Sequence, residues 1–593
     1  MKRLFAALIT VLMVGSAASC TPADSPSSEK SKAEDKSVSS GSSEKKDDTS
    51  KDEESSKSEP EPEPFSVIDP SKLPSKADMR NLNGKNYVTP VKAQEFGDCW
   101  SFSLASAAEI SYLYANDMGV PAGEKNDKVN FSEKYNTWYI FHGITKDDIV
   151  KGRVRASQTG EGFDPGEAEK SASDEISYII GGPFVQNSLL YGSGFGPVDE
   201  SVKVNNEYPY AYDDSSSFKW TLPVNAQYRN PPTDAFLRSS LVLPTTVGED
   251  EKGDYVFNEE GLNAIKSEIY KGHGVTIALN ANHSEMNYKN MAVYYTGNKN
   301  PNHAVSVVGY DDDYPKEKFG RKSDGKIIEG SIPPGNGALI IKNSWGTRDN
   351  GKNDIDDGYF YLSYYDHSIQ APFSFEFDNV SSEKHTERNF DQYDLMMTKW
   401  YGYTDSDKEI KTANVFDAEE DESLYQIAYR TASDKTEVKY EIYRDIKNND
   451  PSSGQLLETG ISRHTFAGYY KIDLKDEVQL KKGDRYSVVL TMRRAADENE
   501  NMVYTEVFPY STEFFEGMTV KGIINEGESY FCIDGKWSDM SSRKDELAGK
   551  AFEQCSEEYK TNKSLPEFEL KGKDKFTVDN YPIKAILAPA KNN

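Results

Sequence analysis

The chain has 593 residues, of which 36% are hydrophobic, 12% aromatic and 28% charged. Single domains usually run to about 100 to 200 residues, so this length predicts several folded units. The formal net charge of −29 argues against nucleic acid or an anionic membrane surface as a partner, because a basic patch would have to overcome the field of the whole molecule.

Residues 1–20 have the pattern of an export signal. Lys2 and Arg3 precede a largely apolar run from Leu4 to Val14, and three small residues stand directly before Cys20. The last four residues resemble a bacterial lipobox, which implies lipidation of Cys20 and a lipid anchor in the membrane. The alternative is ordinary secretion after cleavage nearby, and in both cases the product is extracytoplasmic.

Residues 21–64 consist mainly of Ser, Lys, Glu, Asp and Pro. Such a segment buries too little apolar surface to offset its ordering entropy, so we expect a disordered linker. It would act as a tether behind a lipidated Cys20 or as a solubilising tail. The first aromatic residue after Phe5 is Phe65, where we place the start of the folded part.

Three thiols remain if Cys20 carries lipid, namely Cys99, Cys532 and Cys555. Cys532 and Cys555 could form a disulfide or could be two buried small residues, and the sequence leaves both alternatives open. Cys99 is then the thiol left over. It lies in the stretch TPVKAQEFGDCWSF, followed by SLASAAEISYLY.

The spacing of apolar residues after Cys99 predicts a buried helix whose first turn carries the thiol. A helix N-terminus favours negative charge, so this position would stabilise a thiolate and make a nucleophile available. The alternative is that Cys99 is only a small buried hydrophobic residue.

Two later segments favour the nucleophile. NPNHAVSVVGYDDDY places His303 at the start of a β-branched run that predicts a buried strand, and GALIIKNSWGTRDNG predicts a strand that ends at Asn343. Catalysis by a thiol needs a base within hydrogen-bond reach and a third group that orients this base. His303 and Asn343 are candidates for these two roles.

Together these segments resemble the papain-like cysteine peptidases. The resemblance implies that Cys99 is the nucleophile, His303 the base and Asn343 the residue that orients it. It further implies that Gln94 donates to the oxyanion together with the backbone N–H of Cys99. Trp345 corresponds to the Trp that shields the Asn from water. The family uses no cofactor and no metal, and none is expected here.

Other motifs extend the resemblance over roughly residues 70 to 385. NFSEKYNTWYIFHG lies at 130–143, and YIIGGPF contains Gly181 and Gly182, which in the family present backbone to an extended substrate. Asn302 holds a position from which relatives contact the substrate backbone. The expected substrate-binding residues are therefore Gly181, Gly182, Asn302 and Trp345.

The sequence departs from the family pattern beside the nucleophile. Phe96 replaces a Cys that relatives pair in a disulfide, the Gln94-to-Cys99 stretch is one residue shorter than in papain, and Asp98 stands where a small residue is usual. A carboxylate there would raise the thiol pKa unless Asp98 capped the helix. Residues 311–335 form a polar insertion between His303 and Asn343, which we expect on the surface.

After about residue 385 the pattern changes to short alternating runs such as EVKYEIYRDI and DRYSVVLTM. These segments resemble the lectin-like domain of clostridial cell-surface peptidases. The predicted fold class is an α+β papain-like two-subdomain fold, with a helical left part and a β-rich right part, followed by an all-β sandwich. The predicted domains are 65–385 and 386–593. Trp400, Tyr401 and Tyr403 would stack on a sugar if exposed, but such residues are more often in a core.

The sequence therefore predicts an exported, surface-anchored cysteine endopeptidase that acts on protein or peptide through an acyl-enzyme. A surface glycan is the candidate ligand of the C-terminal domain. The alternatives are a catalytically silent or a transacylating papain-like adhesin that binds glycans through its β domain.

Overall fold

The computed structural model describes residues 65, 67–94, 96–164, 190–212, 222–250, 254–297, 301–347, 357–383, 385, 388–395, 400–497, 499–512, 519–561 and 572–590. The export signal with Cys20, the linker 21–64 and the pair Gly181–Gly182 lie outside these residues and stay predictions. Within the described ranges, no helix is both long enough and apolar enough to cross a membrane.

Five α-helices lie within the residues that the structure describes. They are α1 (Cys99–Ala115), α2 (Glu133–Ile140), α3 (Ala226–Arg229), α4 (Glu259–Tyr270) and α5 (Lys544–Thr561). The helix predicted after Cys99 is confirmed as α1, with the thiol at its first position. Ser132 caps α2 and Asn258 caps α4, each with a side-chain oxygen that accepts from backbone N–H groups of the first turn.

The strands of the N-terminal, papain-like part are short and are joined by long loops. They are β1 (Lys76–Asp78), β2 (Lys85–Asn86), β3 (Val120–Pro121), β4 (Gly162–Asp164), β5 (Leu237–Val242), β6 (Val247–Glu249), β7 (Tyr255–Phe257), β8 (Gly274–Leu279), β9 (Met286–Asn287), β10 (Ala292–Val293), β11 (His303–Asp311), β12 (Lys322–Ser323), β13 (Lys326–Ile327), β14 (Ala338–Lys342), β15 (Tyr359–Ser363) and β16 (Gln370–Phe377).

The C-terminal part has longer strands. They are β17 (Asn389–Asp391), β18 (Trp400–Ser406), β19 (Ile410–Asp417), β20 (Glu422–Thr431), β21 (Thr436–Arg444), β22 (Gln455–His464), β23 (Gly468–Leu480), β24 (Arg485–Ala495), β25 (Met502–Ser511), β26 (Thr519–Lys521), β27 (Ser529–Ile533), β28 (Lys536–Asp539), β29 (Thr577–Val578) and β30 (Ile583–Pro589).

The papain-like part is built by packing α1 against a sheet. Every residue of β8 and β14 is buried, as is every residue of β11 except the last, which explains their nearly continuous apolar sequences. α1 lies directly on β8, because a Cβ added at Gly274 would sit 2.1 Å from the carbonyl oxygen of Ala107. Only glycine permits this approach. The close packing holds the helix, and with it Cys99, in one place relative to the strands.

The C-terminal part is β-rich, as predicted, and most of its described strands lie in two sheets with an apolar core. A Lys- and Glu-rich stretch of the C-terminal part forms α5, whose buried residues Leu547, Ala551 and Cys555 join this core. Cys532 and Cys555 are both free and buried, so the disulfide alternative is wrong. Trp400 is 3% exposed and belongs to the core.

One large sheet runs through both parts. Its strands follow the order β17-β30-β20-β23-β5-β16-β8-β11-β14-β15-β10-β9. β23 and β5 pair antiparallel across the junction, with Tyr469 opposite Ser240. A second, two-stranded sheet also joins the two parts, because β26 pairs with β4 and places Val520 opposite Phe163. The C-terminal part therefore contacts the papain-like part at two separate places.

Candidate active site

Cys99 occupies the first position of α1 and is 4% exposed. Burial raises the pKa of its thiol to about 12. The backbone N–H of Ala304 hydrogen-bonds the sulfur and lowers the pKa, as do the N–H groups of Trp100 and Cys99 itself, while the charge of Asp98 raises it. Because Ala304 follows His303 in β11, this contact places the thiol at the start of the strand that carries the imidazole.

His303 and Asn343 are brought together by strand pairing. His303 opens β11 and Asn343 directly follows β14, and these neighbouring strands pair antiparallel with Ser306 opposite Lys342. The imidazole Nε2 lies 2.8 Å from Asn343 Oδ1. This oxygen also accepts from the backbone N–H of Ser344, at 2.9 Å. The amide oxygen is thus an acceptor, which assigns the proton to Nε2 and leaves Nδ1 for a second partner.

Trp345 covers the imidazole. Its ring stacks on that of His303, with the centroids 4.6 Å apart and the planes inclined at 23°. The segment that contains Trp345 is also bound to the segment before Cys99. The Gln94 N–H donates to Ser344 O at 2.8 Å and the Gly346 N–H donates to Lys92 O at 3.0 Å. The stretch predicted to donate to an oxyanion is thus held beside the His–Asn pair.

The side chain of Gln94 is fixed at both of its ends. Its Oε1 accepts from the Ser344 hydroxyl at 2.6 Å, and its Nε2 donates to Phe96 O at 2.6 Å. An amide nitrogen carries two hydrogens, so one donor remains after the bond to Phe96. The hydrogen bond from Ser344 to Gln94 was not predicted from the sequence, although the serine lies within the NSWG motif.

Asn302 is held by the loop that follows β8. Its backbone N–H donates to Leu279 O at 3.0 Å, and its Oδ1 accepts from the Ala281 N–H at 2.9 Å. These bonds fix the residue directly before His303, and its contact with the substrate backbone stays a prediction. Its side-chain amide nitrogen is left as the group with donors for a ligand.

A buried cluster of charged side chains, which sequence reasoning missed, lies behind this site. Lys92 Nζ is 2.8 Å from Glu133 Oε1 and 3.1 Å from Glu109 Oε1, and both carboxylates are almost fully buried. Lys342 donates to Thr89 at 2.9 Å, and burial lowers the pKa of this lysine to about 8. We call Lys92, Glu109, Glu133 and Lys342 the acid–lysine cluster. The cluster borders a cavity that Asn343 also lines.

Asp98 does not cap α1, so that alternative for this residue is wrong. The residue occupies the N-cap position, yet its side chain makes no cap hydrogen bond. The pKa of the carboxyl is raised to about 8, mainly by burial and in smaller part by the nearby charge of Glu133, while the backbone N–H of Asp98 itself acts in the opposite direction. A neutral carboxylic acid therefore stands next to Cys99 around neutral pH.

A group of residues that could hold a metal ion lies at the junction of the two parts. Glu161, Asp394 and Asp579 are buried, and each offers one carboxylate oxygen within 4.8 Å of the others. Oxygen donors of this kind suit a hard cation such as Ca²⁺. The group shares no residue with the site around Cys99.

A thiol at the N-terminus of a buried helix, placed against a strand that presents a His–Asn pair under a tryptophan, defines the class of papain-like thiol peptidases. Comparisons with known proteins agree with this class. Residues 198–371 match a family model described as papain family cysteine protease, and residues 391–553 match one described as lectin like domain.

Relatives and solved structures extend the match. A cathepsin L-like peptidase of Aedes aegypti is 24% identical over 292 residues, which make up 48% of this chain and 59% of the relative's length. The chain thus spans little more than half of that relative. The cysteine protease and lectin-like domains of Cwp84, described as a surface layer associated protein of Clostridium difficile, align with a TM-score of 0.53 at 20% identity, covering 88% of this chain and 90% of that one.

A second structure, of clostridial cysteine protease Cwp84 after propeptide cleavage, also gives a TM-score of 0.53 at 20% identity and covers 87% of this chain and 100% of that one. At this identity the likeness shows the fold. With the two family matches, it establishes that the chain carries a papain-family cysteine peptidase domain followed by a lectin-like domain.

Proposed function

We propose that the chain is an exported, surface-anchored cysteine endopeptidase with Cys99 as nucleophile, His303 as base and Asn343 as the residue that orients it. The observation that carries the proposal is the 2.8 Å contact between His303 and Asn343 at the start of the strand whose Ala304 N–H bonds the Cys99 thiol.

The proposed reaction begins when the thiol proton of Cys99 moves to His303. The sulfur attacks the peptide carbonyl carbon, and the carbonyl oxygen becomes an oxyanion held by the Cys99 N–H and the remaining donor of Gln94. His303 returns the proton to the leaving amine as the C–N bond breaks, which gives a thioester. Water then attacks the thioester carbonyl carbon while His303 takes its proton. The C–S bond breaks, the carboxylic acid leaves, and the proton held by His303 returns to the Cys99 sulfur.

The burial of Cys99 disfavours a thiolate that has no positive charge beside it. Without a positive charge beside it the buried thiol is protonated at neutral pH, since its pKa is raised to about 12, mainly by burial. The thiolate becomes stable only when a positive charge forms beside it, and an imidazolium at His303 supplies that charge. The stacked Trp345 ring and the Asn343 carbonyl hold this imidazolium in position.

The proposal is tested with an epoxide thiol inhibitor and mass spectrometry of the full chain. Cys99 should be the modified thiol, while Cys532, which is also buried and lies in the lectin-like domain, serves as the internal control. Absence of an adduct at Cys99 contradicts the proposal. Cleavage of fluorogenic peptides should be lost in Cys99→Ala, whereas Cys532→Ala should cleave normally.

For location, we propose a lipid anchor at Cys20. The pattern of residues 1–20 supports it, as does the surface-layer association of Cwp84. The protein should enter the membrane fraction and carry lipid by mass spectrometry. Cys20→Ser should be released unlipidated; if Cys20→Ser stays with the membrane to the same extent as the parent chain, the lipid anchor is wrong.

A second candidate function is glycan binding through the lectin-like domain, which the match at 391–553 favours. Trp400 is buried and cannot form the sugar platform. Binding of the Cys99→Ala chain to a glycan array tests this function without any turnover. Glycan binding together with an unreactive Cys99 would instead support a silent adhesin. An acyl-enzyme resolved by an amine rather than by water would support transacylation.

A further inference from the structure

Asp98 is an unusual residue at the start of α1. The N-cap residues of α2 and α4 satisfy N–H groups of their own helices, but the Asp98 side chain makes no such bond. The residue is 0% exposed, and neither carboxylate oxygen has a hydrogen-bond partner among the described residues. A buried carboxylate in this condition is costly, so the neutral acid is the favoured form.

The charges around Asp98 also favour the neutral acid. Glu133 from α2 acts on Asp98 directly, and it belongs to the acid–lysine cluster behind the site. Glu200 interacts with Glu133 and Lys92, and burial raises the pKa of Glu200 to about 8.

Counting the cluster with its neighbours gives four acids, Asp98, Glu109, Glu133 and Glu200, against Lys92 and Lys342. The acids outnumber the lysines, so further ionisation of Asp98 would be uncompensated.

We infer that Asp98 is a positioning residue that sets the alkaline limit of the reaction. As a neutral acid it leaves the Cys99 thiolate undisturbed, and when it ionises it drives the thiol–imidazole pair back to its uncharged form. The inference rests on the proposed function, since it concerns the thiolate that attacks the substrate. The pKa of Asp98, raised to about 8 by burial, supports this assignment.

The positions of the charges determine whether ionised Asp98 favours or disfavours the thiolate. Asp98 adjoins Cys99 in the chain, and its charge raises the pKa of that thiol. His303 comes from another element and contacts Asn343 and Trp345. A negative charge at Asp98 therefore opposes the thiolate more than it stabilises the imidazolium, and fewer molecules hold the charged pair.

The first experiment isolates the thiol. In the His303→Ala background, alkylation of Cys99 by iodoacetamide is followed by mass spectrometry as a function of pH. Adding Asp98→Asn should lower the pH midpoint of alkylation by about one unit. At a fixed pH below the midpoint, the fraction of Cys99 present as thiolate should then rise roughly tenfold. Glu124→Gln, which removes an exposed carboxylate far along the chain from the helix start, controls for net charge and should leave the midpoint unchanged.

The second experiment uses the chain with His303 intact. Between about pH 7 and 9, kcat/KM for a fluorogenic peptide should fall less steeply in Asp98→Asn than in the parent chain. Asp98→Ser, with the small side chain usual in relatives, should behave in the same way and covers the case in which the Asn variant folds poorly.

A midpoint that moves by less than about 0.3 pH unit in both variants would overturn the inference. Alkylation reports on Asp98 even if no peptide is cleaved, so a failure of the proposed function and a failure of this inference are distinguishable.

Discussion

Asp378 forms ion pairs with three cations, two of which, Arg388 and Lys471, belong to the C-terminal part of the molecule. It directly follows β16, and its side chain is 0% exposed. Arg388 approaches at 2.6 Å and Arg238 of β5 at 3.0 Å, and Lys471 of β23 forms a third ion pair. These cations lower the pKa of Asp378. Asp378→Asn should therefore destabilise both domains together.

The size of the stability loss expected for Asp378→Asn follows from the burial of this site. Removing one partner from a buried ion pair costs about 3 to 5 kcal/mol, because the remaining charges stay buried without compensation. Lys471 and Arg388 are 2% and 3% exposed, so water cannot replace the lost carboxylate. We expect a loss of about 3 to 5 kcal/mol at neutral pH. Since the pKa of Asp378 is depressed, its contribution is present above about pH 4 and is lost as the pH falls through the folded value.

Denaturant unfolding measures this effect, with tryptophan fluorescence reporting on both parts through Trp100, Trp138 and Trp400. The matched control is Asp473→Asn, which removes the same charge from a carboxylate that also pairs with Arg238 but is 61% exposed. An exposed pair contributes at most about 1 kcal/mol. If the two variants lost the same free energy of unfolding, the argument from burial would be refuted. If unfolding showed two separate transitions, the coupling of the two domains would be refuted.

Three further predictions concern the proposed His303–Asn343 pair, a buried histidine and a glycine. Asn343→Ala should lower kcat/KM by roughly 100-fold with little change in folding, since the imidazole loses its orienting partner; the measurement is steady-state kinetics. His273→Gln should destabilise most at low pH, because Glu268 at 2.7 Å raises the pKa of His273 and this stabilisation is lost as the pH rises through the folded value; thermal unfolding at about pH 5 and 8 tests it. Gly274→Ala should lower the free energy of unfolding by about 1 to 3 kcal/mol, because the new Cβ collides with the backbone of α1. Denaturant unfolding measures this loss, and an unchanged midpoint would contradict the close packing.

Much of the site was predictable because the chemistry constrains short segments. The helix that starts at Cys99, the strand that starts at His303 and the strand that ends before Asn343 all follow from local apolar patterns. Their meeting point depends on the pairing of β11 with β14, which no local pattern specifies. The family resemblance supplied this long-range information.

The buried charges were not predictable in the same way. Lys92 and Glu133 look like ordinary solvated residues in the sequence, because a charged side chain is usually exposed. Their burial becomes visible only when α1, α2 and the segment before Cys99 are placed together. The sequence shows that Asp98 departs from the family pattern, but only the structure shows that its side chain makes no cap hydrogen bond.

The extent of contact between the domains was also missed. Alternating runs after residue 385 predicted a separate β domain, and the structure shows a β-rich domain whose strands continue the sheet of the papain-like part. Alternation identifies a strand but carries no information on its neighbour. α5 was missed because its charged sequence resembles a surface insertion, although one face of the helix is buried in the C-terminal core.

The pairing of β23 with β5 affects how the protein can be produced. Without β23, β5 would present a row of open backbone N–H and C=O groups, and such edges invite pairing with other chains. A peptidase fragment ending near residue 385 is therefore an aggregation hazard during expression. In the intact chain the lectin-like domain covers that edge, so it protects the papain-like part from self-association.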